Sequence, residues 1–166
     1  PPYDGDMCGA GWHRLTNDRG YPAYYAANRE RNGTIPPPPM PLTAQWEVTV
    51  PADGYYRVEA YIPGHAPIAW LCPSTLLAGD TSSAHYSVSY AGGRPNKSGD
   101  QAAHAGRWLL LGIFPLRAEI TATVTLETAT GEADLARSVA ASALRLQRME
   151  HGMTATELLY LPAVRR

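Results

Sequence analysis

Two consecutive stretches of this chain alternate apolar and polar residues with a period of two, and a tight turn separates them. Ala44, Trp46, Val48 and Val50 share one side while Thr43, Gln45, Glu47 and Thr49 share the other. After Pro51-Ala52-Asp53-Gly54, residues Tyr56, Val58, Ala60 and Ile62 alternate with Tyr55, Arg57, Glu59 and Tyr61 until Pro63 stops the ladder. An extended backbone turns successive side chains to opposite faces, so this pattern predicts two half-buried strands. The Pro-Ala-Asp-Gly turn is expected to fold one back antiparallel on the other.

The same signal recurs downstream. Tyr86, Val88 and Tyr90 alternate with Ser87 and Ser89, Ala91-Gly92-Gly93 marks a turn, and Asn96 to Gln101 is expected to return as a strand. Trp108 to Phe114 is the most hydrophobic stretch and is expected to be a central strand, with Trp46 and Trp108 both packed inward. Ala122, Val124 and Leu126 alternate with Thr121, Thr123, Thr125 and Glu127, whose polar side should meet solvent. Ala133 to Leu146 fits a helical face through Ala136, Val139, Ala140 and Ala143 as well as a closing strand; a strand from about Ser138 is the expectation. Seven or eight short strands without a convincing long helix predict an all-β, antiparallel two-sheet sandwich with long loops.

Around this core, residues 43–147, the chain divides simply. Residues 1–42 form a loop-rich lead-in, expected to pack on the sandwich and ending in Pro36-Pro37-Pro38-Pro39, which must be extended polyproline II. Residues 64–82 read as a long loop pinned by Cys72 rather than a regular element. Residues 148–166 form a C-terminal tail, in which Leu158, Leu159, Tyr160 and Leu161 are apolar enough to pack on this domain, a parent chain or a neighbouring subunit.

Length and charge narrow the function. The 166 residues suit one domain. With 17% charged residues and a formal net charge of −1, the chain is neither a highly charged disordered segment nor a basic nucleic-acid binder. The apolar run Trp108 to Leu116 is broken by Gly112 and Pro115 and falls short of the roughly 18 residues a membrane span needs. The opening Pro1-Pro2-Tyr3-Asp4 suggests a processed mature chain or an excised piece. Cys8 and Cys72 have no metal-ligand spacing around them; a disulfide is expected, which would stabilise by about 4 kcal/mol in the chain-entropy model, with two buried free thiols as the alternative.

Chemistry-bearing residues are sparse. Trp12, Tyr21, Tyr24, Tyr25 and Trp70 lie in irregular segments, where flat rings could stack on sugars beside the hydrogen-bonding Asn17, Asp18, Arg29 and Asn32, or could instead fold back over an open edge of the sandwich. His13, His65, His85, His104 and His151 are scattered singly, so no metal and no cofactor is expected. Asp4, Asp6 and Asp134 lack a calcium-loop spacing. Ser98, Asp100, Gln101 and His104 lie close together, but no Gly-x-Ser-x-Gly elbow accompanies them, and an enzyme is not expected. Glu47, Glu59 and Arg57 read as cross-strand partners on outward faces.

Taken in order, Trp46 with Val48 and Val50, the run Pro51 to Pro63, Ala84-His85-Tyr86-Ser87-Val88, Ala91-Gly92-Gly93, Asp100-Gln101, Gly106 to Phe114 and Ala140 to Leu146 resemble a golvesin-type domain, the module also found at the C-terminus of xanthan lyases. The resemblance spans about residues 11–147 and implies a jelly-roll-like β-sandwich of the galactose-binding type, appended to secreted hydrolases or surface proteins and non-catalytic. Two departures stand out: Ser142 replaces an acidic residue in the last strand, and the loop 64–82 is longer than usual. The expected role is that of a secreted module attaching to carbohydrate or a cell-envelope polymer, outside the cell or on its surface. The alternative is a structural subunit of an extracellular filament, held to further copies through its terminal segments or sheet edges.

Overall fold

The computed structural model describes residues 11–14, 19–33, 40–65, 69–70, 75–76, 79–149 and 157–165. Its strands, in chain order, are β1 (His13–Arg14), β2 (Tyr24–Ala27), β3 (Thr43–Val48), β4 (Gly54–Ile62), β5 (Ala69–Trp70), β6 (Thr75–Leu76) and β7 (Ala84–Ser89). They continue as β8 (Asn96–Gly99), β9 (Arg107–Leu116), β10 (Ala122–Glu127), β11 (Ser138–Ala141), β12 (Leu144–Arg148), β13 (Glu157–Tyr160) and β14 (Ala163–Arg165). Among the described residues the sole helical piece is a 3-10 turn at Ala102–His104, and no helix is long and apolar enough to cross a membrane.

A five-stranded sheet, β14-β3-β10-β7-β8, packs against a four-stranded sheet, β13-β12-β4-β9, and every pairing within them is antiparallel. The core between them follows directly from the alternation. Ala44, Trp46 and Val48, Tyr86 and Val88, and Ala122, Val124 and Leu126 face Tyr56, Val58, Ala60 and Ile62, Leu109, Leu111, Phe114 and Leu116, and Leu144 and Leu146. The buried indole of Trp46 donates its N–H to the carbonyl of Ser142 at 2.8 Å, which removes the cost of burying that donor. Ser142, buried itself, donates its hydroxyl to the carbonyl of Pro22, a bond that an ionised acid in its place could not donate.

The structure corrects several sequence expectations. The strands on either side of the Pro51–Gly54 turn do not pair with each other: β3 lies in the five-stranded sheet and β4 in the four-stranded one, so the turn carries the chain from one layer of the sandwich to the other. The most hydrophobic strand, β9, is an edge strand, and the threonine-rich β10 lies at the centre of its sheet. The cause is a bulge: Val58 pairs with Gly112 but Glu59 pairs with Leu110, so Leu111 is an extra residue that shifts the phase of the alternation. Leu109 before the bulge, Leu111 in it, and Phe114 and Leu116 after it all point inward, so both registers of the run look apolar. Gly112, at a φ of 151°, could not carry a side chain there, since a Cβ would sit 2.7 Å from the Phe114 ring. Pro115 is tolerated because one side of an edge strand makes no ladder hydrogen bonds. Trp108 is not in the core; it stands on the outer face of its sheet.

The chain ends are strands as well as loops. From the lead-in, β2 pairs with β11, and β1 with β2, in a third small sheet. Within the segment read as irregular, β5 pairs with β6. The region 133–146 holds two strands, β11 and β12, broken at Ser142-Ala143. The tail adds β13 to β12 and β14 to β3, one strand on each sheet of its own domain.

Candidate ligand-binding face

On the outer side of the four-stranded sheet, β4 presents Tyr55, Arg57, Glu59 and Tyr61. Opposite them on β9 stand Pro115, Ile113, Leu110 and Trp108, and β12 adds Gln147 opposite Arg57 and Arg145 opposite Glu59. Directly opposed residues share a face, so these side chains form one surface. Its centre is a carboxylate out of reach of water: Glu59 is 2% exposed. Its Oε2 accepts from Arg145 Nε at 3.0 Å and Nη2 at 2.8 Å, and its Oε1 accepts from Arg57 Nη2 at 2.8 Å. A buried charge survives only with such paired donors.

Three rings cover one end of this network. The Arg145 guanidinium lies 4.3 Å over the Trp108 ring, and Trp108 packs against Tyr61 at 5.2 Å and Tyr21 at 5.8 Å between centroids. Arg145 is therefore held from both sides by a carboxylate and a π-face. The other end is open. Tyr55 is 61% exposed, Ile113 51% and Leu110 42%, and the Arg57 side chain between them is 44% exposed.

The outer side of the five-stranded sheet is chemically different. A shallow groove of about 590 Å³ is lined by His85, Ser87, Arg94, Asn96, Ser98 and Glu127 among others. Arg94 reaches Ser87 Oγ at 3.3–3.4 Å, and Glu127 is engaged by Arg31 at 2.8 Å. Register sets Lys97 opposite the inward Tyr86, on the other side of β8 from Asn96 and Ser98. Burial holds the Tyr86 hydroxyl proton well above the ordinary phenol range, against the opposing pull of the Gln101 hydrogen bond.

The aromatics singled out in the sequence do not form one open platform. Trp12 is buried and donates its indole N–H to the Thr43 carbonyl at 3.1 Å. Tyr25 is buried, with its hydroxyl on the Pro63 carbonyl at 3.3 Å and its ring 4.5 Å from that of His65. Tyr24 packs on the core and Tyr21 joins the Trp108 cluster. Trp70 contributes its backbone to β5; its side chain, Cys8 and Cys72 lie outside what the structure describes. In the tail, Leu158 and Tyr160 pack on the core, the Tyr160 hydroxyl donates to the Thr49 carbonyl, and Leu159 and Leu161 are exposed.

The hydrolase-like residues have structural partners. Gln101 is fully buried and clamps Ala140 through both amide atoms, while Asp100 accepts from the Ala103 N–H and its carbonyl meets the His104 ring. A second set, unnoticed in the sequence, joins Ser138, Asp80 and His65: Asp80 Oδ1 accepts from Ser138 Oγ at 2.7 Å and lies 2.9 Å from His65 Nε2. The carboxylate stands between hydroxyl and imidazole, an order that orients both and does not put the base on the serine. Among the described residues no group of three or more His, Cys, Asp or Glu is placed to hold a metal; Asp134 pairs with Arg29 at 3.5 Å, and Asp4 and Asp6 lie outside the described residues.

The fold is that of an all-β domain in which antiparallel sheets pack as a sandwich. Residues 8–148 match the golvesin C-terminal domain, and the chain belongs to that family. No curated protein and no solved structure matches the chain.

Proposed function

We propose that the chain is a secreted, non-catalytic module that attaches its protein to carbohydrate or another cell-envelope polymer at the outer face of the four-stranded sheet. One observation carries this reading: the exposed ring of Tyr55 and the exposed Ile113 flank an arginine whose head is held by the buried Glu59. Sugar recognition needs an apolar surface for the ring faces and fixed donors for the oxygens, and this surface offers both on rigid strands. The order of Ser138, Asp80 and His65 supports a role without turnover. The test is a pull-down of the full chain on a panel of insoluble polysaccharides and envelope preparations, with Tyr55→Ala and Arg57→Ala as controls. Retention that both variants share with the parent removes this face from the reading.

A second reading, a subunit of an extracellular filament, has the β9 edge with its exposed Leu110 and Ile113 in its favour. Its tail form requires β13 and β14 to leave the sheets they already extend. Light scattering of the native chain over a range of concentrations separates the two, since an assembly grows with concentration and an appended module does not.

A further inference from the structure

We propose that the polymer is acidic: a carboxylate-bearing sugar places its ring against Tyr55 and Ile113 and its carboxylate on Arg57. This rests on the binding role above and names its ligand class. The argument is charge accounting at one spot. Glu59 brings one negative charge, and two guanidinium groups converge on it. Arg145 is spent: both nitrogens that face Glu59 bond it, its plane is stacked on Trp108, and its side chain is only 21% exposed. Arg57 gives Glu59 a single nitrogen; its Nε is buried and has no hydrogen-bond partner among the described residues, while its side chain as a whole is 44% exposed. One positive charge is thus left over, oriented from below by a buried carboxylate and open above.

The neighbourhood does not cancel it. Across the sheet from Arg57 the cross-strand partners are Ile113 and Gln147, both uncharged. Glu157 stands one strand further on, opposite Gln147, about 10 Å from Arg57 at the usual strand spacing. Along β4, Tyr55 lies two residues from Arg57 on the same face, about 7 Å away, so one sugar residue and its substituent reach both. A planar guanidinium matches a carboxylate better than a hydroxyl, and the bond is charge-assisted. The open apolar neighbours distinguish the ligand from a simple anion, because they favour a flat ring face next to the charge.

The experiment compares polygalacturonate with the same polymer methyl-esterified, using the full chain in affinity electrophoresis or calorimetry at low and high salt. Binding of the acid form about tenfold or more tighter, weakened by salt and lost to the level of the ester in Arg57→Gln, is the expected result. Tyr55→Ala should weaken both forms. Ile113→Glu, at an exposed position directly opposite Arg57, removes no group of the Glu59 network but sets an acid beside Arg57, and should abolish the preference for the acid form even if Arg57→Gln folds poorly. Equal affinity for acid and ester overturns the acidic-ligand inference and leaves the binding role standing. Failure to bind these or any neutral polysaccharide in the panel overturns the binding role itself. Equal affinity for polyglutamate overturns the sugar assignment, and loss of binding in Arg94→Gln with none in Arg57→Gln moves the site to the other sheet and overturns the placement.

Discussion

On the outside of the five-stranded sheet, Ser87, Ser89, Thr123 and Thr125 are half-exposed, each able to trade a protein partner for water. On the outside of the four-stranded sheet, Glu59 and Tyr61 are as buried as core residues although they point away from the core. The same period-two pattern built both faces. What differs is the cover: Arg57, Arg145, Trp108 and Tyr21 form a second layer over the four-stranded sheet, and short hydroxyl side chains leave the other sheet to solvent. A sandwich can thus carry one face that is merely wetted and one that is itself a small packed structure. Only the second can hold a charged group in a fixed direction.

The sharpest way to break this contrast is to remove one carboxylate from each face. Glu59→Ala leaves two arginines facing each other over a dry spot and should destabilise by about 3 kcal/mol, the low end for a broken buried pair because Arg57 and Arg145 keep some water. Glu127→Ala removes the partner of a well-exposed Arg31 and should cost at most about 1 kcal/mol. Urea unfolding of both variants decides; similar losses would mean that the Glu59 network is ordinary surface pairing. Next in size is Trp108→Ala, which removes the ring under Arg145 and the contacts to Tyr21 and Tyr61. It should cost about 2 kcal/mol, less than the 3–5 kcal/mol of a fully buried tryptophan. Thr125→Ala on the other face should stay within about 0.5 kcal/mol.

Much of the sandwich was legible because alternation reports which side of a strand meets the core: β3, β4, β7 and β10 fall where their periods put them, and β8 returns after the Gly92-Gly93 turn. The place of β9 was not, because a continuous apolar run ordinarily signals burial on both faces, and here a bulge and an exposed edge produce the same letters. Family membership was legible too, from motifs in order along the chain. The candidate face was legible only in pieces. Arg57 and Glu59 were correctly set outward, but Arg145 is 86 positions from Glu59, and only the register of β4 on β12 joins them. The lead-in aromatics stayed open between a sugar platform and a cover over the sandwich for the opposite reason: without a period, nothing in the sequence says that the Trp12 indole will find the Thr43 carbonyl or the Tyr25 hydroxyl that of Pro63.

The smallest effect concerns acid, and it separates the two sides of the molecule by location. Beside β7, the loop carboxylate of Glu132 accepts from the Thr81 and Ser82 hydroxyls and from the Ser82 N–H, with Arg137 at 3.6 Å. Partial burial alone would raise its pKa, but these hydrogen bonds outweigh burial and hold it below the ordinary value of 4.5. A carboxyl whose folded pKa is depressed adds stability above its unfolded pKa and loses it as pH falls through the folded value. The chain should therefore weaken as pH drops below about 4.5, and Glu132→Gln should flatten that part of the curve because it has already lost, at pH 7, the stability that the parent loses only on acidification. Chemical denaturation at pH 7, 5, 4 and 3 measures it. An unchanged slope in Glu132→Gln would move the acid sensitivity away from the loops beside the five-stranded sheet.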